Sequence, residues 1–581
     1  MKNRIIRKLY NRRIIILMGM QLVAVSVLTS RLYYLQIIKG NKYKILSNNN
    51  RIRETLLLPV RGKIIDRNNI ELATNKLLYK VLCELQCVEN IDNLLAELSK
   101  ITNKPVTSEL IYQIKNNKTN VVTIYEEVDW HELSEIEFNI ERLSGIYVVP
   151  FYKRYYPFGE DCAHVIGYMK NIQNNDYSQY NNEEKIGITG IEYRDDEKLK
   201  GIPGLVKYEV NAKGKTIREL SRIKSVPGGD VKLTLDISLQ KTVSRMLKGN
   251  NGAIVILEIN TGNILALCSA PSYDNNIFVN GLSYKYWNKI NSDSALPLVN
   301  RAIALHTEPA STFKIITTLA ALKNNIIDVH KKILCTGSLL FGGREFHCWN
   351  HRGHGWIDMQ DAIASSCNVY FFTIAQYINI EMITEVATTF GLAQMFNTGL
   401  LGEVAGVIPN KSWRENNLLT SWKLGDTLNI VIGHGYLLVT PLQLAIMIAR
   451  VASGKKVMPV FHCSEKNQEF PHLNINHEHL RFVQNALFKV VNSSIGTASK
   501  YLRRAGISML VTSSGKTGSV QVSNVKGNLK KKDHGIFVGY APFESPKYAV
   551  SVFTEHTGGA GQSTILAQSI FNYMLLNGLF D

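Results

Sequence analysis

Ser311 and Lys314 form the first pair of residues in this chain whose types and spacing could do chemistry. They lie three positions apart where an apolar run with helical periodicity begins, so the hydroxyl and the amine fall on one helix face. A neutral buried lysine can take the proton of a serine, and a helix N-terminus supplies N–H groups suited to an oxyanion. The pair alone is weak evidence, because an N-cap serine followed by a solvated lysine gives the same pattern.

Two further clusters make this pair specific. Ser366-Cys367-Asn368 follows 55 residues after Ser311, and Lys516-Thr517-Gly518 follows another 150 residues on. A hydroxyl and an amide can relay protons and hold a substrate amide, while the lysine and threonine offer donors to a carboxylate and the glycine admits a substrate backbone. In this order, the clusters match the S-x-x-K, S-x-N and K-T-G set of serine β-lactamases and penicillin-binding proteins.

The N-terminal region has the charge pattern of a membrane anchor. The whole chain carries 66 basic and 48 acidic side chains, a net charge of +18, and no acidic residue precedes Glu54. The apolar run over residues 14–38 is long enough to span a bilayer, and the positive-inside rule places the basic residues 1–13 in the cytoplasm. A cleaved signal peptide is the alternative, but the run exceeds the usual apolar core of ~7–15 residues. We predict a single-pass protein of the cytoplasmic (inner) membrane with an extracytoplasmic (periplasmic) catalytic part.

The remaining chain divides into two regions that differ in their sequence patterns. With 581 residues, of which 45% are apolar and 20% charged, it is too long for one core and is neither collagen-like nor wholly disordered. Residues 39–230 show short β-like runs and no catalytic cluster. Residues 231–581 show a predicted edge hairpin around Thr261-Gly262, helical runs at 312–322, 359–377 and 441–452, and later strand patterns. We predict an α/β domain there, whose sheet pairs its termini.

Taken together, these features resemble the class B penicillin-binding proteins, and among them the elongation-specific penicillin-binding protein 2 branch. The resemblance implies an α/β (α+β) transpeptidase domain with a central antiparallel sheet and helices on both faces. An elongated, non-catalytic mixed α+β pedestal (dimerisation-type) domain would precede it in the sequence. It also implies a peptidoglycan D,D-transpeptidase of cell elongation and cell shape that β-lactams inhibit. The similar blocks are RGKIIDRNNIELA (61–73), RYYPFGEDCAHVIGY (154–168), GITGIEYRDDEKLKGIPG (187–204), NRAIALHTEPASTFKIITTLAAL (300–322), GDTLNIVIGHGYLLVTPLQLA (425–445) and GKTGSVQ (515–521).

The resemblance implies roles for the first two clusters. Ser311 would form the acyl-enzyme, and Lys314 would act as general base. Ser366 would help to pass the proton to the leaving D-alanine, and Asn368 would bind the amide of the donor peptide. These roles describe acyl transfer through a serine ester.

The third cluster would bind the end of the substrate. By the same resemblance, Lys516 and Thr517 hold the terminal carboxylate, and Gly518 lets the substrate backbone approach. The backbone N–H groups of Ser311 and Ser519 would form the oxyanion hole.

Four residues near the second cluster form a candidate metal site. Cys335, Cys348, His354 and Cys367 are separated by 13, 6 and 13 residues. Three thiols and an imidazole suit tetrahedral zinc, although the spacing lacks a tight C-x2-C knuckle. A disulfide between Cys335 and Cys348, beside a buried Cys367, is the competing prediction. Elongation-type relatives that this chain resembles carry zinc near S-x-N, so the resemblance implies a metal that fixes that loop.

The resemblance also implies partners and leaves alternatives. The partners are peptidoglycan stem peptides on lipid II-derived glycan strands, β-lactams, and a SEDS-family (RodA-like) glycosyltransferase in an elongation complex, with no nucleic acid. A class A β-lactamase is much shorter than this chain and needs a deacylating glutamate. A β-lactam-binding sensor usually has several membrane spans, whereas one is predicted here. An inactive scaffold would lack a reacting group, and all of them are present in this sequence. D,D-Carboxypeptidase activity is the nearest rival, because water and an amine compete for one acyl-enzyme.

Overall fold

Two compact units make up the protein. The computed structural model describes residues 2–105, 111–112, 114, 121–171, 185–211, 216–463, 469–522 and 532–580. One unit contains the residues up to Val60 together with Gly201–Gly228. The other contains Arg61–Ile172, Lys185–Lys200 and Gly229–Asp581, and therefore all of the predicted site residues.

A long apolar helix begins the first unit. It runs over Lys2–Tyr33 and continues as a π-helical turn over Tyr34–Ile38. By length and composition, the stretch Arg12–Ile38 could cross a membrane, and its apolar side chains are not buried by the rest of the protein. At 1.5 Å per residue it measures about 40 Å, which exceeds the hydrocarbon thickness of a bilayer.

A three-stranded antiparallel sheet completes this unit after the helix Gly40–Arg51. Glu209 of its middle strand forms ion pairs with Arg51 at 2.6 Å and with Arg218 at 2.7 Å. Both arginines are largely exposed, so these pairs add little stability, and the ladder of backbone hydrogen bonds defines the sheet. In spatial order the strands are Ile52–Leu57, Gly204–Val210 and Thr216–Ile223.

A second sheet opens the larger unit. The long strand Glu71–Glu84 pairs with three neighbours, and two helices, Ile91–Thr102 and Trp130–Phe138, start at the capping residues Asn90 and Asp129. These helices bury leucine and isoleucine side chains in a separate small core. The strands are Val231–Lys232, Ile64–Ile65, Glu71–Glu84 and Val121–Val128 in spatial order, with Ile146–Tyr155 also paired to Glu71–Glu84.

A buried ion cluster joins segments of this unit that are distant in sequence. The fully buried Glu192 carboxylate accepts from Arg61 Nε at 2.7 Å and from Arg154 Nε at 2.6 Å. Arg61 also donates to Asp196 at 2.7 Å. Because charges removed from water need such partners, the cluster requires all of its members together.

The central sheet is antiparallel, as predicted, and has five strands. The hairpin around Thr261-Gly262 lies at one edge, and Gly252–Glu258 pairs with Tyr548–Thr554, so the sheet joins the two ends of the domain. The inner strands are buried along almost their whole length, because helices pack on both sides of the sheet. In spatial order the strands are Ile264–Ala270, Gly252–Glu258, Tyr548–Thr554, His534–Ala541 and Ser514–Val520; the main covering helices are Ile237–Leu247, Gly561–Leu576, Pro441–Ser453 and His477–Asn492.

Shorter elements fill the space around this sheet. The remaining described helices are Ala163–Ile166, Gly190–Arg194, Asp196–Leu199, Asn276–Val279, Tyr284–Asn291, Arg301–Ala304, Lys314–Lys323, Met359–Ala364, Asn368–Ala375, Ile380–Thr389, Lys411–Leu418, Leu424–Ile430 and Thr497–Ala505. Two-stranded ribbons pair Met169–Asn171 with Lys185–Gly187, Ile333–Cys335 with Gly355–Ile357, and Ser338–Phe341 with Arg344–His347.

One predicted helix is broken in the structure. The helical run predicted over 359–377 consists of two helices, Met359–Ala364 and Asn368–Ala375. Ser366, between them, has a φ of 58°, which a right-handed helix does not accommodate. The break therefore places the S-x-N residues at a helix junction instead of along a helix face.

Candidate active site

Ser311 lies on a tight turn that leads into a buried helix. The 3-10 turn Ala310–Phe313 immediately precedes the helix Lys314–Lys323. Ala310 takes a left-handed conformation with a φ of 48°, and its N–H donates to Gly433 O at 2.9 Å. Ser311 is partly exposed, whereas Ala310 and Thr312 on either side are buried. The turn is thus fixed from within while the serine remains accessible.

The Lys314 amine is fully buried and faces the second cluster. Its Nζ donates to Ser366 O at 2.8 Å, to Ser366 Oγ at 3.3 Å and to Asn368 Oδ1 at 2.7 Å. Burial lowers the pKa of Lys314 to about 8, because the charged form loses hydration. An amine with this pKa is partly neutral near physiological pH, as a general base must be.

The Lys516 amine reaches the same hydroxyl from the other side. Lys516 lies on the edge strand Ser514–Val520, and its Nζ donates to Ser366 Oγ at 2.9 Å and to Thr517 O at 3.1 Å. Burial, and then the nearby charge of Lys314, holds the pKa of Lys516 well below its usual range. Ser366 Oγ therefore lies between two buried amines, each of which disfavours a charge on the other.

The edge strand packs directly on the turn that carries Ser311. A Cβ atom built on Gly518 would lie 3.1 Å from Pro309 O and 3.2 Å from Thr312 Cγ2, so a glycine allows this close approach. The Thr517 and Thr497 hydroxyl oxygens are 2.7 Å apart. The exposed Ser519 accepts from the Ala560 N–H at 3.1 Å through its hydroxyl. All three predicted clusters thus meet in one place.

Several residues of this site have no sequence signal. Thr497 bonds Thr517, and Trp349 Nε1 donates to Ser365 O at 3.0 Å, next to Ser366. Glu308 accepts from His434, a histidine without a predicted role. These contacts join residues up to 126 positions apart, and short-range spacing cannot reveal them.

The four predicted metal ligands also come together. One donor atom from each of Cys335, Cys348, His354 and Cys367 lies within 4.8 Å of the others, and all eight cysteines are free thiols. His354 Nδ1 is 3.6 Å from both the Cys335 and Cys348 sulfurs. A hydrogen bond with Cys367 holds the pKa of the Cys348 thiol well below its usual range. The donor set and its spacing fit a tetrahedral soft-metal site.

This cluster is hydrogen-bonded to the S-x-N loop. The Asn368 N–H donates to the Cys348 sulfur at 3.4 Å, and Asn368 Nδ2 donates to His347 O at 3.2 Å. Cys367 itself separates Ser366 from Asn368 in the chain. Any group that fixes the thiols would therefore also fix the residues that face Lys314.

Family comparison identifies this arrangement. A family model described as penicillin binding protein transpeptidase domain matches residues 252–575, more than half of the chain. A second, described as penicillin-binding protein dimerisation domain, matches residues 57–233. The chain is 31% identical to the peptidoglycan D,D-transpeptidase MrdA of Acinetobacter baumannii, over 98% of this chain and 88% of that protein. The chain belongs to the class B penicillin-binding proteins. Within them it is similar to the penicillin-binding protein 2 group.

Solved structures of penicillin-binding proteins agree with this assignment. The penicillin-binding protein 2 of Helicobacter pylori in complex with MreC superposes with a TM-score of 0.80 and 27% identity, covering 91% of this chain and 99% of that one. A structure titled as a peptidoglycan synthase complex that coordinates polymerization and crosslinking superposes with a TM-score of 0.73 and 26% identity, covering 97% of both chains. As a class B penicillin-binding protein, the chain is a penicillin-sensitive serine acyl-transfer enzyme of peptidoglycan synthesis.

Proposed function

We propose that this penicillin-binding protein cross-links peptidoglycan stem peptides during cell elongation and the maintenance of cell shape. The observation that carries the proposal is the Ser366 hydroxyl, which lies 3.3 Å from Lys314 Nζ and 2.9 Å from Lys516 Nζ. This chain of donors and acceptors begins one helical turn from Ser311. It can therefore move a proton between a nucleophile and a leaving group.

In the acylation step, Ser311 Oγ attacks the carbonyl carbon between the two terminal D-alanines of a stem peptide. The neutral Lys314 amine takes the serine proton as the new ester bond forms. Breaking the peptide bond releases D-alanine, and Ser366 delivers the proton to its amine. The Lys516 amine and the Thr517 hydroxyl donate to the terminal carboxylate, and the N–H groups of Ser311 and Ser519 bind the oxyanion.

In the second step, an amine from a neighbouring stem peptide attacks the Ser311 ester. Its proton passes back through Lys314, the serine leaves, and a new amide bond joins the two strands. Water in place of the amine would give D,D-carboxypeptidase activity from the same intermediate. A β-lactam would acylate Ser311 and stall there, because its ring-opened product does not leave the site.

Mass spectrometry after β-lactam treatment tests the nucleophile. The intact protein should gain the mass of one drug molecule, and the adduct should map to the peptide that contains Ser311. Ser311→Ala should abolish labelling by a fluorescent penicillin. Labelling that persists in this variant, with the adduct on another residue, would refute the proposal. Analysis of the products formed from stem peptides then distinguishes cross-linking from carboxypeptidase or β-lactamase activity.

We also propose that Cys335, Cys348, His354 and Cys367 hold a zinc ion. Their donor atoms all lie within 4.8 Å of one another, which supports this, as does the hydrogen bond from the Asn368 N–H to the Cys348 sulfur. A four-ligand site is closed and structural, so zinc would supply folding energy and fix the S-x-N loop, while the acyl transfer needs only the protein's own groups.

Metal analysis of protein purified without chelator tests this site. We expect about one zinc per chain, and loss of the metal on Cys348→Ser together with a lower unfolding temperature. A metal-free sample in which Cys335 and Cys348 are joined by a disulfide would rule the site out. The exposed Cys87 provides the matched control, because Cys87→Ser should leave the zinc content unchanged.

For its surroundings, we propose that the helix over Arg12–Ile38 anchors the protein in the inner membrane with a cytoplasmic N-terminus. The partners would be a SEDS-family (RodA-like) glycosyltransferase and other proteins of an elongation complex. The basic residues before the apolar run support the orientation. The solved structures of a relative in complex with MreC and of a peptidoglycan synthase complex support the partners. Detergent extracts should yield a polymerase with the affinity-purified protein, and repeated failure to recover one would count against this partner.

A further inference from the structure

A glycine-containing loop is fastened along the segment that leads into Ser311. Residues 431–439 form this loop, which we call the GHG loop after Gly433, His434 and Gly435. Backbone bonds join Thr307 to Val439 at 3.0 and 2.9 Å, and the Ala310 N–H donates to Gly433 O at 2.9 Å. The loop therefore runs beside residues 307–310, up to the nucleophile itself.

Glu308 fastens the two segments through its side chain. Its Oε2 lies 2.7 Å from His434 Nδ1, and its Oε1 accepts from the Gly435 N–H at 3.0 Å. Because a carboxylate only accepts, the His434 proton is on Nδ1. Each side chain is 25% exposed, so the bond is partly shielded from water. Glu308 thus uses both oxygens on one loop, three residues before Ser311.

The backbone at this junction has little freedom to compensate. Gly433 and Gly435 have φ values of 84° and 91°, and Ala310 has 48°. A Cβ atom on Gly433 would lie only 1.9 Å from Ala310 O. Ala310, a non-glycine residue at positive φ, keeps this conformation only while its surroundings hold it. Any shift of the loop would therefore pass to Ala310 and to the N–H of the next residue.

We propose that His434 is a positioning residue for the acylation step. By bonding Glu308, it holds the GHG loop against Ala310 and so keeps the Ser311 N–H and hydroxyl aligned with the reacting carbonyl. This inference rests on the proposed function, in which Ser311 is acylated and its N–H binds the oxyanion. It predicts a defect in the chemical step and none in drug binding.

Rapid-mixing kinetics with a chromogenic β-lactam can separate these two steps. For His434→Ala we expect an acylation rate constant about tenfold lower, because loss of a whole oxyanion donor costs about 10²–10³-fold and a misaligned one costs less. The dissociation constant of the non-covalent complex should stay within about twofold of wild type. His330→Ala, which removes an exposed histidine elsewhere, is the matched control and should change neither constant.

Two amide substitutions test whether the donor must occupy the position of His434 Nδ1. The nitrogen of an asparagine side chain can occupy the place of Nδ1, whereas that of a glutamine reaches the place of Nε2. His434→Asn should therefore recover most of the acylation rate, and His434→Gln should resemble alanine. Glu308→Gln, of the same size as glutamate, should also slow acylation, because it offers one carbonyl oxygen to two donors.

A double-mutant cycle gives the deciding result. If His434 acts through Glu308, the His434→Ala/Glu308→Gln double variant should be no slower than the slower single variant. The inference would be overturned if the rate reductions of the two single variants multiplied in the double variant. It would also be overturned if His434→Asn and His434→Gln acylated at equal rates. Wild-type acylation in His434→Ala would overturn it as well. Failure of the proposed function can be distinguished from failure of this inference, because in that case the wild-type protein itself would carry no adduct at Ser311.

Discussion

Two buried amines share a single hydroxyl in this site. Lys314 and Lys516 are both fully buried and both donate to Ser366 Oγ. Taking an ammonium out of water is costly, and a second one beside it adds repulsion, so the pair disfavours two charges. At most one of the two amines is then charged, so the other is neutral and can accept a proton. Burial by the fold thus gives these lysines a chemistry that an exposed lysine lacks.

The pH dependence of acylation follows from the lowered pKa of Lys314. The reactive form is the neutral amine, and its pKa of about 8 means that protonation removes it as the pH falls. The acylation rate should rise about tenfold per pH unit below about pH 8 and level off above it. Measuring the rate of labelling by a fluorescent penicillin across this range checks the prediction. A rate that falls with rising pH would contradict the role of Lys314 as base.

Sequence motifs predicted the residues that the structure brings together around Ser366, because acyl transfer requires residues of fixed type and spacing. The same reasoning could not find Glu308, Thr497 or Trp349, whose roles depend on contacts between distant segments. His434 shows the limit most clearly. A lone histidine carries no spacing signal in the sequence, and its carboxylate partner lies 126 positions away.

At the scale of elements, periodicity predicted lengths better than breaks. The strands of the edge hairpin and the helix Pro441–Ser453 lie where alternation and helical spacing predicted them. The run over 359–377 has continuous apolar periodicity, yet it breaks at Ser366. A left-handed residue held by tertiary contacts leaves no trace in a hydrophobic pattern, since it changes direction without changing burial.

The GHG loop provides a prediction at this scale. Gly433→Ala should lower the unfolding free energy by at least about 2 kcal/mol, because the position combines a positive φ with a Cβ only 1.9 Å from Ala310 O. Gly425→Ala is the control: this helical glycine has no atom within 4 Å of its built Cβ, and alanine favours helices by up to about 1 kcal/mol. Denaturant unfolding of both variants checks the pair, and equal stabilities would contradict the packing argument.

At the scale of the molecule, the larger unit has one main core. Residues of the pedestal segments, such as Ile64, Leu72, Tyr156 and Ile191, are buried in the same cluster as the central sheet. The family models separate a dimerisation part from a transpeptidase part near residue 233. Apolar packing continues across that position in sequence, so the two parts share stability.

A truncation tests this shared core. A fragment of residues 231–581 would lack nine pedestal side chains that are buried in this core. Those that are isoleucine, leucine or valine contribute about 1.5–3 kcal/mol each. That sum is comparable with the stability of a whole domain, about 5–15 kcal/mol. We expect the fragment to aggregate or to unfold without cooperativity, whereas residues 61–581 should fold and bind penicillin. Soluble yield and thermal unfolding give the answer, and a stable, penicillin-binding 231–581 fragment would contradict it.

The pairing of Gly252 with Thr554 has a consequence for biogenesis. In the proposed orientation, the N-terminus stays in the cytoplasm and translocation proceeds from the membrane helix toward the C-terminus, so the strand Gly252–Glu258 emerges well before its central partner Tyr548–Thr554. Until translocation is nearly finished, that apolar strand has an open edge available for wrong pairing. Newly exported protein should therefore depend on holdase chaperones outside the membrane, and translocation arrested before residue 548 should yield material prone to aggregation and proteolysis.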